Sequence, residues 1–403
     1  MKKNAYIFYS GATNETGANL AKQLKIAGGN ELPTDKKSLI IGWGAKTQKD
    51  LKFGDKTWVL NHPNRIRINR NKLKALQIMK DRGINIASFV GIETIDAALK
   101  SGHVSLPLVY RPSFHQGGNG FFLCLTKTHV DKIKDSKLGS ENKGYFQNYI
   151  DIIDEYRFHV FTTTPRHETS LLKDRDIKDY SIICMAKKEA RDNLLSAHVE
   201  QQTDKIKKMA EKSKTEIDEK TLSFALNYQG KKIVIPDHII RSNTRGWKFA
   251  PITLHKVHNK TSLEIMIKLQ KEAVKAVCAL GLDFGAVDCA IDSAGKIWII
   301  EVNTGPGLEG STFTKYVEAF ENIIKKMVDS EAEKRKPETN NKIKDKNKNM
   351  AVERRKDNLT GVTHINSWKK KESEELRTLA DLLDTADADE AAVIRKVARR
   401  LFG

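Results

Sequence analysis

The chain has 403 residues, 39% hydrophobic and 30% charged, with 70 Lys and Arg against 51 Asp and Glu for a formal net charge of +19. Roughly 100–200 residues per domain allows two or three domains, and a chain this long buries real cores despite its charge. No run approaches the roughly 18 apolar residues of a membrane span, and the apolar run at 5–9 is too short for a secretory h-region. The four cysteines, Cys124, Cys184, Cys278 and Cys289, form neither a CxxC pair nor a zinc-spaced cluster. These features predict a soluble cytoplasmic protein with reduced thiols.

In chain order, 5–9, 38–42 and 57–60 are short β-branched and aromatic runs bounded by Gly, Asn and Asp, and read as strands. Between them 13–27 reads as a helix with Leu20, Leu24 and Ala27 on one face. Residues 1–70 thus form a small α/β leading domain. Ser10-Gly11-Ala12-Thr13-Asn14 joins strand to helix but has neither GxGxxG nor GxxxxGK[ST], so it carries no phosphate-loop fingerprint. An amphipathic helix follows at 71–83, with Leu73, Leu76, Ile78 and Met79 apolar, Lys72, Lys74 and Lys80 polar, and Gly83 as its C′ residue.

A helix at 94–99 leads to a strand at 107–110, the glycine-rich stretch 111–120, and a strand at 121–125. A hairpin tip of this composition exposes backbone N–H groups that can wrap an anion. Residues 155–161 alternate strictly, Tyr156, Phe158 and Val160 on one face and Arg157, His159 and Phe161 on the other. The Lys-, Glu- and Gln-rich stretch 186–221 reads as a solvated helical excursion, and strands resume at 233–235 and 239–242. A strongly amphipathic helix at 264–280 stops at Gly281. Strands at 286–291 and 296–302 form a hairpin around Asp292-Ser293-Ala294-Gly295, and a helix at 313–328 closes the body. Residues 331–350 are rich in Lys, Asn and Glu, contain Pro337, and read as a linker. Helical periodicity returns at 372–383 and 389–402, within a tail spanning 351–403. Residues 331–403 hold 18 Lys and Arg against 14 Asp and Glu, a net of +4, so the remaining +15 is spread over the body.

The hairpin carries the clearest chemistry. Asp288 lies in its first strand; Glu301 and Asn303, two apart, share a face of the second. The short turn can set Asp288 across from them. Two carboxylates and a carboxamide oxygen make a hard, oxygen-only set suited to Mg²⁺ or Mn²⁺, which completes its shell with waters and phosphates. Asp288 and Glu301 each sit in an apolar strand, where an unpaired carboxylate is costly.

Residues 281–311 read GLDFGAVDCAIDSAGKIWIIEVNTGPGLEGS. This closely resembles the ATP-grasp carboxylate–amine ligases, whose pattern is G-L-D…G-V-D…(V/I)-x-E-V-N-x-x-P-G-L-E-G. The resemblance is nearest to the ligases that add glutamate to the tail of a ribosomal protein and to phage ATP-grasp proteins, and it extends over about residues 71–320. It implies an α/β ATP-grasp fold. After the leading domain 1–70 would come a small subdomain at 71–148 carrying the glycine-rich flap. A large subdomain at 149–330 would follow, with a charged helical insertion at 189–230, and then the linker and the helical tail.

Family roles then follow residue by residue. Lys72, in Asn71-Lys72-Leu73, looks like the lysine that reaches the nucleotide, with Asn71 replacing the usual Asp. Arg111 stands where most members have a phosphate-binding lysine and adds a bidentate fork. His115, Gly117, Gly118 and Gly120 resemble the flap over the phosphates. Gln147-Asn148-Tyr149-Ile150 resembles the hinge that holds adenine. Glu155 and Arg157 resemble the element that contacts the ribose and orders the site, and Lys187 or Lys188 a further nucleotide-side lysine. Arg241 and Asn243 lie in an R-S-N element whose arginine stabilises the acyl phosphate. Asp288, Glu301 and Asn303 are the implied metal ligands, and 305–307 with Ser311 would line the acceptor end.

The activity implied is amide or peptide bond formation. ATP converts a carboxylate to an acyl phosphate, and an amine displaces phosphate, with the protein positioning groups and neutralising charge. The acceptor would be an amino acid, a peptide or a protein, and the basic body suits an acidic one. Two other classes compete. One is an ATP-binding assembly protein without turnover. The other is a nucleic-acid-associated factor using 331–371, where Trp368 is the sole aromatic and so a poor stacking platform.

Overall fold

The computed structural model describes residues 4–33, 37–45, 47, 50–53, 56–113, 121–136, 144–164, 176–190, 241, 247–252 and 260–334. The expected strands at 233–235 and 239–242, the 189–230 insertion beyond Ala190, and the tail helices lie outside the described residues. Two compact units divide the chain. One comprises residues 1–252 and 267–328, and the other 253–266 and 329–403. Of the second, 260–266 and 329–334 are described and are helical.

The first unit opens with a parallel sheet. β1 (Ala5–Tyr9), β2 (Ala27–Gly29), β3 (Leu39–Trp43) and β4 (Trp58–Leu60) run in the order β2-β1-β3-β4. Apolar residues at nearly every position of β3 and β4 fit strands covered on both faces. α1 (Asn14–Leu24) buries Leu20 and Leu24 as expected, but it stops before Ala27. Lys25 adopts a left-handed conformation (φ 56°) that closes the helix, and Ala27 becomes the exposed first residue of β2. α2 (Pro63–Arg70) is absent from the sequence reading. Its hydrophobic pattern is only Ile66 and Ile68 among Arg and Asn, but it starts with Pro at N1 and a His62 ring nitrogen accepting from Asn64 N at 3.2 Å. α3 (Lys72–Asp81) follows directly. Asn71 caps it by accepting from Lys74 N at 3.1 Å, and Gly83 (φ 71°) lies just past its C-cap, Arg82.

Two antiparallel sheets complete the unit. The smaller has the order β5-β8-β6-β7, from β5 (Phe89–Gly91), β6 (Leu108–Pro112), β7 (Phe122–Cys124) and β8 (Gly144–Asn148). Ile95 and Ala98 of α4 (Ile95–Lys100) and Val130 and Ile133 of α5 (Lys127–Lys134) pack with Leu108, Tyr110 and Phe146. The larger has the order β11-β10-β9-β12-β13, from β9 (Ile152–Thr162), β10 (Tyr180–Ala190), β11 (Trp247–Pro251), β12 (Phe284–Asp292) and β13 (Ile297–Asn303). α6 (Lys260–Ala279) and α7 (Gly310–Lys334) are the long helices. The fold is therefore α/β, with a small parallel leading sheet followed by two antiparallel sheets, as the sequence predicts.

Two expectations are corrected. Residues 186–190 belong to β10, not to a helical excursion. Their Lys-rich composition hides a strand because the lysines serve ion pairs across the sheet. α7 also runs four residues into the expected linker, to Lys334.

An aromatic core fastens the leading sheet to the larger sheet. Trp43 stacks on Phe284 at 5.5 Å and meets Tyr316 edge-on at 5.2 Å, while Phe161 stacks on Phe284 at 5.3 Å. Asn61 bridges the same junction. Its carboxamide donates to Phe284 O and accepts from the Asp283 and Phe284 amides. This buried, left-handed residue (φ 51°) thus fixes where β12 starts.

Candidate functional site

A cavity of about 860 Å³ is lined by residues from the smaller sheet, the larger sheet and the segment that follows β13. Its size suits a nucleotide-scale ligand, since ligand sites commonly measure roughly 300–1,000 Å³. Among the described residues, six cationic side chains (Lys72, Arg111, Arg157, Lys188, Arg241, Lys248) and four anionic ones (Glu155, Asp288, Glu301, Glu309) line it, an excess of two positive charges.

Asp288 does come across from Glu301, but through a register shift between Asp288 and Cys289; continued unbroken from the pairing of Ile291 with Ile297, the ladder would set it opposite Ile300. β12 and β13 pair antiparallel with Asp288 opposite Glu301 and Ala286 opposite Asn303. Asn303 Nδ2 donates to Glu301 Oε1 at 2.9 Å, so the two side chains do share a face. Glu301 Oε2 lies 3.1 Å from Lys72 Nζ, at the first turn of α3, and 3.5 Å from Arg111 Nη2, at the end of β6.

Asp288 is more deeply placed. Arg157, its cross-strand partner on β9, forks both oxygens, with Nε to Oδ1 at 2.6 Å and Nη2 to Oδ2 at 2.8 Å. Lys188 Nζ reaches Oδ2 at 3.0 Å and also bonds Glu155. Burial alone would raise the Asp288 carboxyl, but Arg157 and Lys188 outweigh it and hold it below the usual range. Glu155 is pushed up instead by burial, because it shares Lys188 with the better-neutralised Asp288. Phe249 of β11 backs the cations, its ring 4.3 Å from the Arg157 guanidinium and 5.7 Å from Lys188 Nζ.

The two candidate lysines lie in different surroundings. Lys188 enters the cluster, whereas Lys187 pairs with Asp154 at 2.6 Å and does not line the cavity. Arg241 sits at the Glu155 end. Its Nη2 donates to Ile152 O at 2.7 Å, its Nε lies 3.9 Å from Glu155, and its guanidinium lies over Trp247. Gln147, Asn148 and Ile150 line the cavity, while the Tyr149 amide donates to Pro107 O at 3.1 Å. His115, Gly117, Gly118, Gly120 and Asn243 lie outside the described residues.

Gly305, Pro306, Gly307 and Ser311 also line the cavity. Gly305 is required by a close approach to the leading sheet. A Cβ there would fall 2.8 Å from Thr13 Cγ2 and 2.9 Å from Gly44 Cα. The Ser10–Asn14 turn thus backs this loop, and Thr13 Oγ1 lies 2.9 Å from the carbonyls of both Ser10 and Trp43.

The sequence reading missed His159, Cys184 and Thr312 as cavity residues. His159 is 4% exposed, and its Nδ1 lies 3.2 Å from Tyr316 OH. Burial, and then the neighbouring Arg157, pull its pKa down to about 3. Cys184, paired with His159 across β10 and β9, lies 3.4 Å from Thr312 Oγ1. The signal was present in the alternation of β9, which puts His159 on the face of Arg157.

The residues fit a divalent cation in part. Glu301 and Asn303 offer oxygens on one cavity-facing edge, and Asp288 stands opposite Glu301. Both Asp288 oxygens are already held by Arg157 and Lys188, so it could ligate only by exchanging one of them. Among the described residues, no three His, Cys, Asp or Glu side chains converge as a ready-made metal cluster. Likewise, among them no helix is long and apolar enough to cross a membrane.

No protein-family model matches the chain, and no curated protein sequence matches it. Among solved structures it is similar to D-alanine–D-alanine ligase from Bacillus anthracis, at 12% identity and a TM-score of 0.48 over 83% of this chain and 100% of that one. It is also similar to N5-carboxyaminoimidazole ribonucleotide synthetase from Thermotoga maritima, at 11% identity and a TM-score of 0.44 over 80% and 76%. A third is the Staphylococcus aureus N5-carboxyaminoimidazole synthetase complexed with ADP, at 11% and 0.46 over 76% and 72%. At these scores the likeness does not extend to chemistry.

Proposed function

We propose that the protein is an ATP-dependent carboxylate–amine ligase of the ATP-grasp kind, joining an amine to a carboxylate through an acyl phosphate. The observation that carries this reading is the convergence in one cavity of Lys72, Arg111, Arg157, Lys188 and Arg241 on Glu155, Asp288 and Glu301. Those side chains come from separate elements, far apart in sequence, and a lone surface network would not surround a nucleotide-sized space.

On this reading the adenine end lies at 147–150, and the polyphosphate runs past Glu155 towards Arg157. Lys72 and Arg111 turn from Glu301 to phosphate oxygens, Arg111 through its planar fork. Glu301 and Asn303, with Asp288 opposite, would hold Mg²⁺ or Mn²⁺. When bound there, such an ion would supply positive charge against the negative charge that develops on transfer. Phe249 stacked on Arg157 fixes that guanidinium beside the reacting phosphoryl group, where preorganised charge is most effective. Arg241, at the Glu155 end, fits the nucleotide side better than the acyl phosphate. In the first step a carboxylate oxygen bonds to the terminal phosphorus and the bond to the leaving diphosphate breaks. In the second the amine nitrogen bonds to the acyl carbon, the carbon–oxygen bond to phosphate breaks, and the amine proton leaves with phosphate.

The test is ADP release from ATP and Mg²⁺ over a panel of amino acids and acidic peptides, with products read by mass spectrometry. Expected is ADP formation that needs both an acid and an amine and yields a condensed product. ATP binding without ADP formation on any mixture would refute the ligase and favour an ATP-binding assembly protein.

A further inference from the structure

The cavity continues along β9 past Arg157. On β9 every second residue faces it in turn, Glu155, then Arg157, then His159. From Glu155 to His159 the strand advances roughly 13 Å. The next residue on that face, Phe161, already belongs to the closed aromatic core, stacked on Phe284. His159 is therefore the last polar side chain of this strand before the cavity ends. Cys184 on β10 pairs with it and lies 3.4 Å from Thr312 Oγ1 near the start of α7, whose first residues, Gly310, Ser311 and Thr312, line the same cavity.

The direction of its one hydrogen bond fixes what His159 shows to the cavity. Tyr316 is wholly buried, and among the described residues His159 Nδ1, 3.2 Å away, is the hydrogen-bond partner of its hydroxyl. If Nδ1 carried the proton, the tyrosine hydrogen would be buried without an acceptor, a cost that native interiors avoid. Tyr316 therefore donates and Nδ1 accepts. The neutral ring then carries its proton on Nε2, the nitrogen left for the cavity. So His159 offers an N–H and cannot act there as a base. Its neighbours are of the same sort. Ser311 and Thr312 bring hydroxyls, and α7 turns towards the cavity the end where backbone N–H groups and the helix dipole favour negative charge.

We infer that this end of the cavity binds the carboxylate substrate, and that His159, oriented by Tyr316, donates from Nε2 to the carboxylate oxygen that is not phosphorylated. This rests on the ligase reading and gives it a direction: the acid, not the amine, occupies the His159 end. As the amine adds, negative charge gathers on that same oxygen, where a fixed donor helps most. The amine enters from the remaining open side, and its proton goes to phosphate, not to His159.

Two measurements on the full chain test this. The first is ¹⁵N-histidine NMR with Mg²⁺–ADP present and sodium formate as the carboxylate probe. Expected is an Nε2–H tautomer for His159, a saturable formate-dependent shift of that Nε2, and loss of the tautomer preference in Tyr316→Phe. An Nδ1–H tautomer, or no response to formate, overturns the inference. The second traps the acyl phosphate with hydroxylamine, which bypasses any amine site. His159→Leu should lower hydroxamate formation by roughly 10²–10³-fold, as for loss of one oxyanion donor. His159→Gln, which keeps an N–H at that reach, should recover about tenfold or more, and Mg²⁺–ADP affinity should stay within about twofold in both. Undiminished hydroxamate formation by His159→Leu would put the amine at this end and overturn the inference. A wild type that makes no hydroxamate from any acid, yet shows the formate shift, would sink the ligase reading and leave the His159 site standing.

Discussion

His159 should make the protein acid-sensitive in a window where most carboxylates are silent. Its folded pKa is pulled from 6.5 down to about 3 by burial, then by Arg157, with Asp288 opposing. The groups around it are Arg157 on β9, Cys184 on β10, Asp288 on β12 and Tyr316 on α7. Between those two pH values the unfolded chain binds a proton that the folded chain refuses. Stability therefore rises with pH through this range and falls on acidification. At about 1.4 kcal/mol per unit, the loss is about 2 kcal/mol at pH 5 and about 3 kcal/mol at pH 4. Asp288 acts lower and separately: its folded pKa is depressed, so its contribution is present above the ordinary carboxylate pKa and is lost below it. Urea midpoints of wild type and His159→Gln at pH 7, 6, 5 and 4 measure the effect. The variant should start about 1 kcal/mol less stable for want of the Tyr316 bond, lose less on acidification, and overtake wild type a little below pH 6. Curves that stay parallel from pH 6.5 to 4 would refute a neutral buried imidazole.

Glu301→Gln removes a carboxylate that Lys72 and Arg111 hold in place; it should abolish Mg²⁺-dependent ATP turnover with an unchanged circular dichroism spectrum, and wild-type-like ADP release would sink the metal assignment. Lys188→Met leaves Asp288 and Glu155 buried with one counter-ion fewer. It should cost about 3–5 kcal/mol in denaturant unfolding, and a loss below about 1 kcal/mol would show that Arg157 and Arg241 suffice. Gly305→Ala drives a methyl to within 2.9 Å of the Gly44 backbone and should cost about 1–3 kcal/mol. Gly307→Ala, which meets nothing within 4 Å, is its control; equal thermal shifts for the two would refute the close-packed junction.

Legibility in the sequence followed the locality of the signal. The pair Glu301 and Asn303 was readable because period-two alternation alone puts them on one face, but Asp288 comes opposite Glu301 only through a register shift between Asp288 and Cys289, which no turn length announces. Asn71 read as a departure from a family motif, yet the structure shows why it serves: its carboxamide caps α3 at Lys74 N as an Asp would. α2 escaped because its core contact is mainly Ile66, too little for a periodic stripe. Residues 186–190 were misread because Lys and Glu favour helix locally, whereas Lys188 is held in a strand by Glu155 and Asp288, residues 33 and 100 positions away. His159 was visible as a position but not as a group. Its proton is set by Tyr316, 157 residues on, and no window on the sequence joins the two.

The cavity also accounts for why carboxylates and cations interleave so closely. Among the described residues its lining carries more positive than negative charge, the sign that a cation-chelated nucleoside triphosphate calls for. That leaves most of the +19 elsewhere. Within the cavity, each acid that a metal would need is held by a base that phosphate would need: Glu301 by Lys72 and Arg111, Asp288 by Arg157 and Lys188. On the proposed reading, Lys72 and Arg111 can turn to phosphate only by releasing Glu301, and Glu301 tolerates that release only if a divalent ion replaces them. Neither half of the exchange is favourable alone, because each leaves a poorly solvated charge without a partner. Nucleotide and metal should therefore enter as one unit, with no charge left unpaired before or after. The charge outside the cavity is free of this constraint. It is the part that can attract an acidic acceptor too large to enter, at a range salt limits to about 8 Å.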